Sequence, residues 1–247
     1  MDDHVRMNRA FWDSTSAEYQ HDHSFALVSE PVAWGTWRIP ESALAALGDL
    51  EGRRVLEYGC GGGQFGIGLA RLGVAIVGLD VSEAQLEHAR ELANEHHIRL
   101  PLLQADGERL PFHSGAFDVV FCDHGAMSFC DPDTSLAEVA RVLRSRGRLA
   151  FCTSSRLRFV CMDDAWQLTT SLQRSWFGQR RLDDGNSVDF SLTPGGWIAA
   201  ARRHDFTVEA LHELRPAAEA TTTFEWYSSL DWASRWPAEE LWVLVKN

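Results

Sequence analysis

The chain has 247 residues, 45% hydrophobic and 23% charged, with a formal net charge of −12; that length buries one sizeable core, and that charge repels a phosphate backbone, which excludes nucleic acid as the expected partner. No uninterrupted apolar run reaches the length of a membrane span, and the opening MDDHVRMNRAFWD has no apolar leader. Five cysteines without a CxxC pair suit a reduced, cytoplasmic protein and no metal site.

Residues 1–52 are polar and aromatic, with Phe11, Trp12, Tyr19, Trp34 and Trp37, and are expected to form N-terminal helices and a lid. From Arg53 to Ser154 short apolar runs alternate with helical patterns. Val55-Leu56 is a strand leading into glycines. Phe65, Leu69 and Leu72 share one helical face, and Ala75 to Asp80 reads as a buried strand. Ser82 and Gln85 form a capping-box pattern opening a helix that turns Leu86, Ala89 and Ala93 inward. Leu100 to Gln104 and Phe117 to Cys122 are the third and fourth strands. Asp131 and Pro132 stand as N-cap and N1 of a helix along Leu136, Val139, Ala140 and Leu143, with Gly147 expected to stop it. Arg148 to Cys152 is the fifth strand. Residues 155–193 and 215–237 are aromatic-rich and read as lid insertions. Between and after them come a helix at Pro194–His204 and strands near Phe206–Leu214 and Leu241–Val245. Alternation of this kind predicts a parallel sheet covered on both faces, with its ligand at the carboxyl ends of the strands. The whole chain is expected to form one domain.

The stretch VLEYGCGGGQFG, Val55 to Gly66, concentrates Gly59, Gly61, Gly62, Gly63 and Gly66 after the first strand. Glycine weakens regular structure, so this backbone is expected to approach a ligand closely. Two patterns overlap. Gly61, Gly63 and Gly66 satisfy G-x-G-x-x-G, the dinucleotide fingerprint, with Asp80 as ribose acid. Glu57, Gly59, Gly61 and Gly63 satisfy E-x-G-x-G-x-G, whose acid lies in the strand end itself.

The second pattern resembles motif I of the class I S-adenosylmethionine-dependent methyltransferases. GLDVS, with Asp80 and Val81, resembles their motif II, and QADGERLPF, with Asp106 and Gly107, their motif III. FDVVFC and DPDTSLAEVARVLRSRGRLAFC resemble the motif IV to VI region, so the resemblance covers about residues 53–154. It implies an α/β, Rossmann-like fold with a seven-stranded, mostly parallel sheet, helices on both faces, an antiparallel last strand and aromatic lids. It implies S-adenosylmethionine as cofactor, held by Glu57 and the Cys122 carbonyl at the ammonium group, Gly59, Gly61 and Gly63 along the methionine end, Asp80 and Val81 at the ribose, and Asp106 and Gly107 at the adenine. Tyr19 is expected to close over the cofactor, and Trp34 or Trp37 to face the sulfonium by cation–π contact. His124, two residues past the fourth strand, is the candidate general base, with Asp123 its rival. The implied reaction is methyl transfer to a small, apolar or planar acceptor. A non-catalytic S-adenosylmethionine-binding regulator and an NAD-dependent oxidoreductase remain the alternatives.

Overall fold

The computed structural model describes residues 2–29 and 31–247. α1 (Asp3–Ser29) buries a polar face, in which His4, Asn8, Ser16, Gln20 and His23 follow one another at helical spacing. The hairpin β1 (Ala33–Trp34) with β2 (Ile39–Pro40) and the single turn α2 (Glu41–Leu44) lead to the sheet. β3 (Arg54–Tyr58), α3 (Gln64–Arg71), β4 (Ala75–Asp80), α4 (Glu83–Glu95) and β5 (Leu102–Gln104) alternate as expected. β6 (Phe117–Asp123), α5 (Ala126–Phe129), α6 (Pro132–Val142) and β7 (Leu143–Ser154) follow. α7 (Arg156–Val160) and the hairpin of β8 (Arg181–Asp183) with β9 (Val188–Phe190) occupy the insertion. α8 (Pro194–Arg203), β10 (Phe206–Glu213), α9 (Leu230–Ala233) and β11 (Glu239–Lys246) complete the chain.

Seven strands form one sheet in the order β10-β11-β7-β6-β3-β4-β5. β3 to β7 pair in parallel, and β11 runs antiparallel between β7 and β10. Leu56, Val120 and Leu149 belong to the core on one face, and their neighbours Val55, Val119 and Ala150 to the core on the other. That is the period-two burial of strands covered on both sides. The chain places β4 and β5 on one side of β3, then β6 and β7 on the other. This reversal opens a crevice at the carboxyl ends of β3 and β6.

Local signals hold with two corrections. Asp131 Oδ1 caps α6 through the Asp133 and Thr134 N–H groups, with Pro132 at N1. Ser82 Oγ accepts from Gln85 N–H at 3.2 Å, but the Gln85 side chain does not return the bond; its Oε1 accepts from Gln20 instead. Gly147 does not stop α6. The helix ends at Val142, Leu143 is already extended, and the left-handed residue of the following turn is Arg146 at φ 62°. Gly147 serves close approach: a Cβ there would lie 2.8 Å from the Arg144 carbonyl oxygen.

The segments expected as lids share a small core of Phe159, Val160, Phe224, Tyr227 and Trp232, and Tyr19 and Leu27 of α1 pack against it. No helix among the described residues is long and apolar enough to cross a membrane.

Candidate active site

β3 delivers Glu57 and Tyr58 to the crevice, and the chain turns at once through Gly59, Gly61 and Gly63, left-handed at φ 79°, 51° and 71°. A Cβ on Gly59 would lie 2.2 Å from the Ala126 nitrogen, and one on Gly125 would lie 2.2 Å from the Gly59 oxygen. The turns after β3 and β6 are therefore pressed backbone to backbone, which brings His124 beside the glycine loop. Gly61 faces space, its nearest neighbour in that direction being Gln85 Oε1 at 3.8 Å. Gly59, Gly61 and Gly62 line the cleft; Gly63 does not, and a Cβ built on it would lie 3.1 Å from the Ala89 Cβ of α4. What crowds Gly66 is the Glu57 carboxylate, 2.4 Å from a Cβ there. The acid of E-x-G-x-G-x-G thus explains the last glycine of G-x-G-x-x-G.

Glu57 is 5% exposed, and its Oε2 has no hydrogen-bond partner among the described residues. Burial pushes its pKa well above the carboxylate range, against a backbone hydrogen bond at Gly66. An orphaned carboxylate oxygen beside a cleft is a place for a cationic donor. Asp80 ends β4, and its oxygens accept the Gly61 N–H at 2.8 Å and the Ser82 N–H at 2.9 Å. Burial raises its pKa against those bonds. One such bond per oxygen leaves acceptor capacity on each. Val81, Ala105 and Gly107 line the cleft. Asp106 stands beside it, its Oδ1 accepting the Glu108 N–H at 2.9 Å.

α1 closes over the loop by hydrogen bonds. Gln20 donates to Gln85 Oε1 at 2.8 Å and accepts from Gln64 Nε2 at 2.7 Å, while Ser82 Oγ donates to Asp13 at 2.7 Å. Tyr19, one residue before Gln20, lines the cleft and sets its ring edge-on to Trp12 and His23.

A second cavity of ≈ 580 Å³ adjoins the first and shares Trp12, Tyr19, Asp123 and His124 with it. His124 sits at φ 52°, a conformation that favours glycine but that histidine adopts more readily than most residues. Its N–H donates to the Cys152 carbonyl at 3.1 Å, and its Nε2 meets Glu239 Oε1 at 2.5 Å. Glu239, 1% exposed, also accepts the Thr36 N–H at 2.8 Å and the Thr36 hydroxyl at 3.0 Å. Burial of the imidazole lowers its pKa, but the bond to Glu239 and the charges of Glu239 and Asp123 outweigh it, so the net shift is upward. Glu239 shifts downward: burial raises its pKa, and the His124 and Thr36 bonds more than offset that. With Glu239 ionised, Nε2 carries the ring proton and Nδ1 is the acceptor. Asp123, the rival base, accepts the Gly35 N–H at 3.0 Å and pairs with Arg38 at 3.5 Å. Asp123, His124 and Cys152 are close enough together to bind a metal ion, but Asp123 and His124 already have these protein partners.

Two expectations about tryptophans are corrected. Trp34 is fully buried away from the cleft, packed on Phe65 and Phe121, with its indole N–H donating to Glu41 at 2.6 Å. Trp37 is buried with its indole N–H on Ser228. The Cys122 side chain is fully buried, its sulfur accepting the Met127 N–H, so any contact of this residue with a ligand is through its backbone. Sequence reasoning missed Gln20, Gln64, Gln85 and Glu239. Only Glu239 carried a signal, as one of two acids opening an otherwise apolar strand.

Residues 56–151 match the family model described as a methyltransferase domain. A ubiquinone biosynthesis O-methyltransferase of Alkalilimnicola ehrlichii is 37% identical over 111 residues, 44% of this chain and 45% of that one. A demethylmenaquinone methyltransferase of Lactococcus lactis subsp. lactis is 33% identical over 161 residues, 64% of this chain and 62% of that one. The chain thus spans less than two thirds of either relative. A crystal structure of an S-adenosylmethionine-dependent methyltransferase from Mesorhizobium loti superposes with a TM-score of 0.67 at 22% identity, covering 83% of this chain and 96% of that one. The likeness to it is one of fold, the seven-stranded Rossmann-like sheet of the class I methyltransferases.

Proposed function

We propose, from the premise that residues 56–151 belong to the methyltransferase-domain family, that the protein transfers a methyl group from S-adenosylmethionine to a small-molecule acceptor. The observation that carries this is the orphaned, buried Glu57 oxygen beside a cleft lined by Gly59, Gly61 and Gly62. Glu57 is placed to accept from the ammonium group of the methionine end, along which the glycine backbone gives room. Asp80 has acceptor capacity left for the two ribose hydroxyls, and the Ala105–Gly107 segment borders the adenine end. When bound, the sulfonium supplies an activated methyl group and a good leaving group. The protein's part is alignment, exclusion of water by α1 and the lid segments, and removal of the acceptor's proton by His124. Glu239 holds the imidazole in the tautomer that can accept at Nδ1. The adjoining cavity, bordered by Trp12, Phe129, Phe159 and Tyr227, suits a planar acceptor.

Calorimetry with S-adenosylhomocysteine tests this reading, and an absence of binding at millimolar ligand would overturn it. Asp80→Ala weakens that binding tenfold to a hundredfold, since a charged acceptor contributes roughly 1.5–3 kcal/mol. It also lowers Tm slightly, because the Gly61 and Ser82 N–H groups lose their acceptor. Unchanged affinity in Asp80→Ala removes the residue from the site.

A further inference from the structure

The larger cavity contains a buried cation whose hydrogen-bond partners are uncharged. Arg158 of α7 lines the wall and is 8% exposed. Its Nε donates to the Tyr227 carbonyl at 2.9 Å, one Nη lies 3.4 Å from the Met162 sulfur, and its guanidinium carbon lies 3.6 Å over the centre of the Tyr227 ring. It forms no ion pair among the described residues. Two residues earlier, Arg156 is buried more deeply and spends its guanidinium on the carbonyls of Ser175, Trp176 and Gln179. Arg156 is a clamp; Arg158 keeps donors in reserve.

The other charges deep in this cavity are matched, Asp123 by Arg38 and His124 by Glu239. Asp189 of β9 faces the same space without a direct ion pair; burial, with Asp184 beside it, lifts its pKa to about 6 against the charges of Arg158 and His124, which lower it. Asp189 thus acts on the guanidinium only through space, and the guanidinium's planar fork of donors is shaped for carboxylate oxygens in direct contact.

We propose that Arg158 anchors the methyl acceptor, and that this acceptor is a planar molecule bearing a carboxylate, gripped by the guanidinium while its methylated atom lies at His124. The inference rests on the methyltransferase reading above. Its scale comes from Tyr227, which carries Arg158 over its face and the His124 ring at its edge, 5.6 Å between centroids. The two groups are thus at most about 9 Å apart. That is too short for groups at opposite ends of a ring, so the carboxylate and the methylated atom sit on neighbouring positions of one aromatic ring, with a hydrogen bond of about 2.8 Å at each.

The test is binding to the full chain saturated with S-adenosylhomocysteine, using salicylate as the probe and its amide as the neutral control. The acid binds about thirtyfold or more tightly than its amide, the loss that follows from stranding one member of a buried, hydrogen-bonded charge pair. In Arg158→Met acid and amide bind alike, while S-adenosylhomocysteine affinity is unchanged. If that variant does not fold, Arg158→Gln, which keeps a donor for the Tyr227 carbonyl, carries the same expectation. Equal binding of acid and amide by the wild type, no binding of the acid at millimolar concentration, or a preference that survives in the variant overturns the inference. Failure of S-adenosylhomocysteine itself to bind strikes the methyltransferase reading instead.

Discussion

Replacing His124 with Ala lowers turnover by a factor of about 10²–10⁴, the range lost with a positioned general base. The same change strands Glu239, a buried carboxylate that then lacks its strongest partner, so stability falls as well. His124→Gln separates the effects: it can still donate to Glu239 but cannot take a proton near neutrality, so turnover falls while most of the stability is kept. The pH profile supplies the second reading. The base works in its neutral form, and its pKa is raised in the folded protein, so wild-type turnover climbs with pH through a value above that of free histidine. Glu239→Gln removes the two larger upward causes and leaves only the charge of Asp123 against burial, which acts downward, so the limb moves toward acid even as the maximum falls. A His124→Gln enzyme with wild-type turnover, or a limb that stays in place in Glu239→Gln, would sink the assignment.

Gly59→Ala loses several kcal/mol of stability, and its Tm falls by roughly 10 °C or more. Two costs combine. Alanine at φ 79° gives up about 1–2 kcal/mol to the left-handed conformation. Its Cβ would also lie 2.2 Å from the Ala126 nitrogen, which is backbone in a buried turn and cannot swing aside. Gly61→Ala is the control. It is also left-handed, but its Cβ meets nothing closer than 3.8 Å, so it keeps most of the stability and weakens S-adenosylhomocysteine binding instead. Differential scanning calorimetry of the two variants decides it; a wild-type Tm for Gly59→Ala contradicts the close approach of the two turns.

The sheet was legible because its strands are apolar on both faces and each is punctuated by glycine, a cap or an acid. Asp80, Glu57 and His124 were legible because strand ends are where such a sheet binds. What the sequence hid follows from chemistry rather than distance. A helix was expected near the N-terminus, but hydrophobic periodicity cannot find the face of it that buries His4, Asn8, Ser16, Gln20 and His23. Trp34 looked like a pocket residue because an aromatic's direction is not written in its type; Glu41 and Phe65 claim it for the core. Glu239 lies 115 residues from His124, and only the antiparallel pairing of β11 with β7 brings the two together. Gly147 misled because glycine marks both positive φ and close packing, and here it is the second.

The polar face of α1 has a thermodynamic consequence. Asn8 binds the carbonyls of Phe129 and Val188, Gln20 bridges two glutamines, and Asp13 takes the Ser82 hydroxyl. Water can replace each of these partners, so the hydrocarbon that lifting the helix exposes is confined to contacts such as those of Val5, Trp12, Tyr19 and Leu27, less than the apolar layers of the sheet would expose. Its detachment therefore carries a small heat-capacity increment, whereas unfolding of the sheet carries a large one. The covering of the crevice can exchange hydrogen bonds with solvent while the apolar layers beneath stay intact. Amide exchange in α1 is then governed by a local equilibrium, independent of the cooperative melting of the strands it covers.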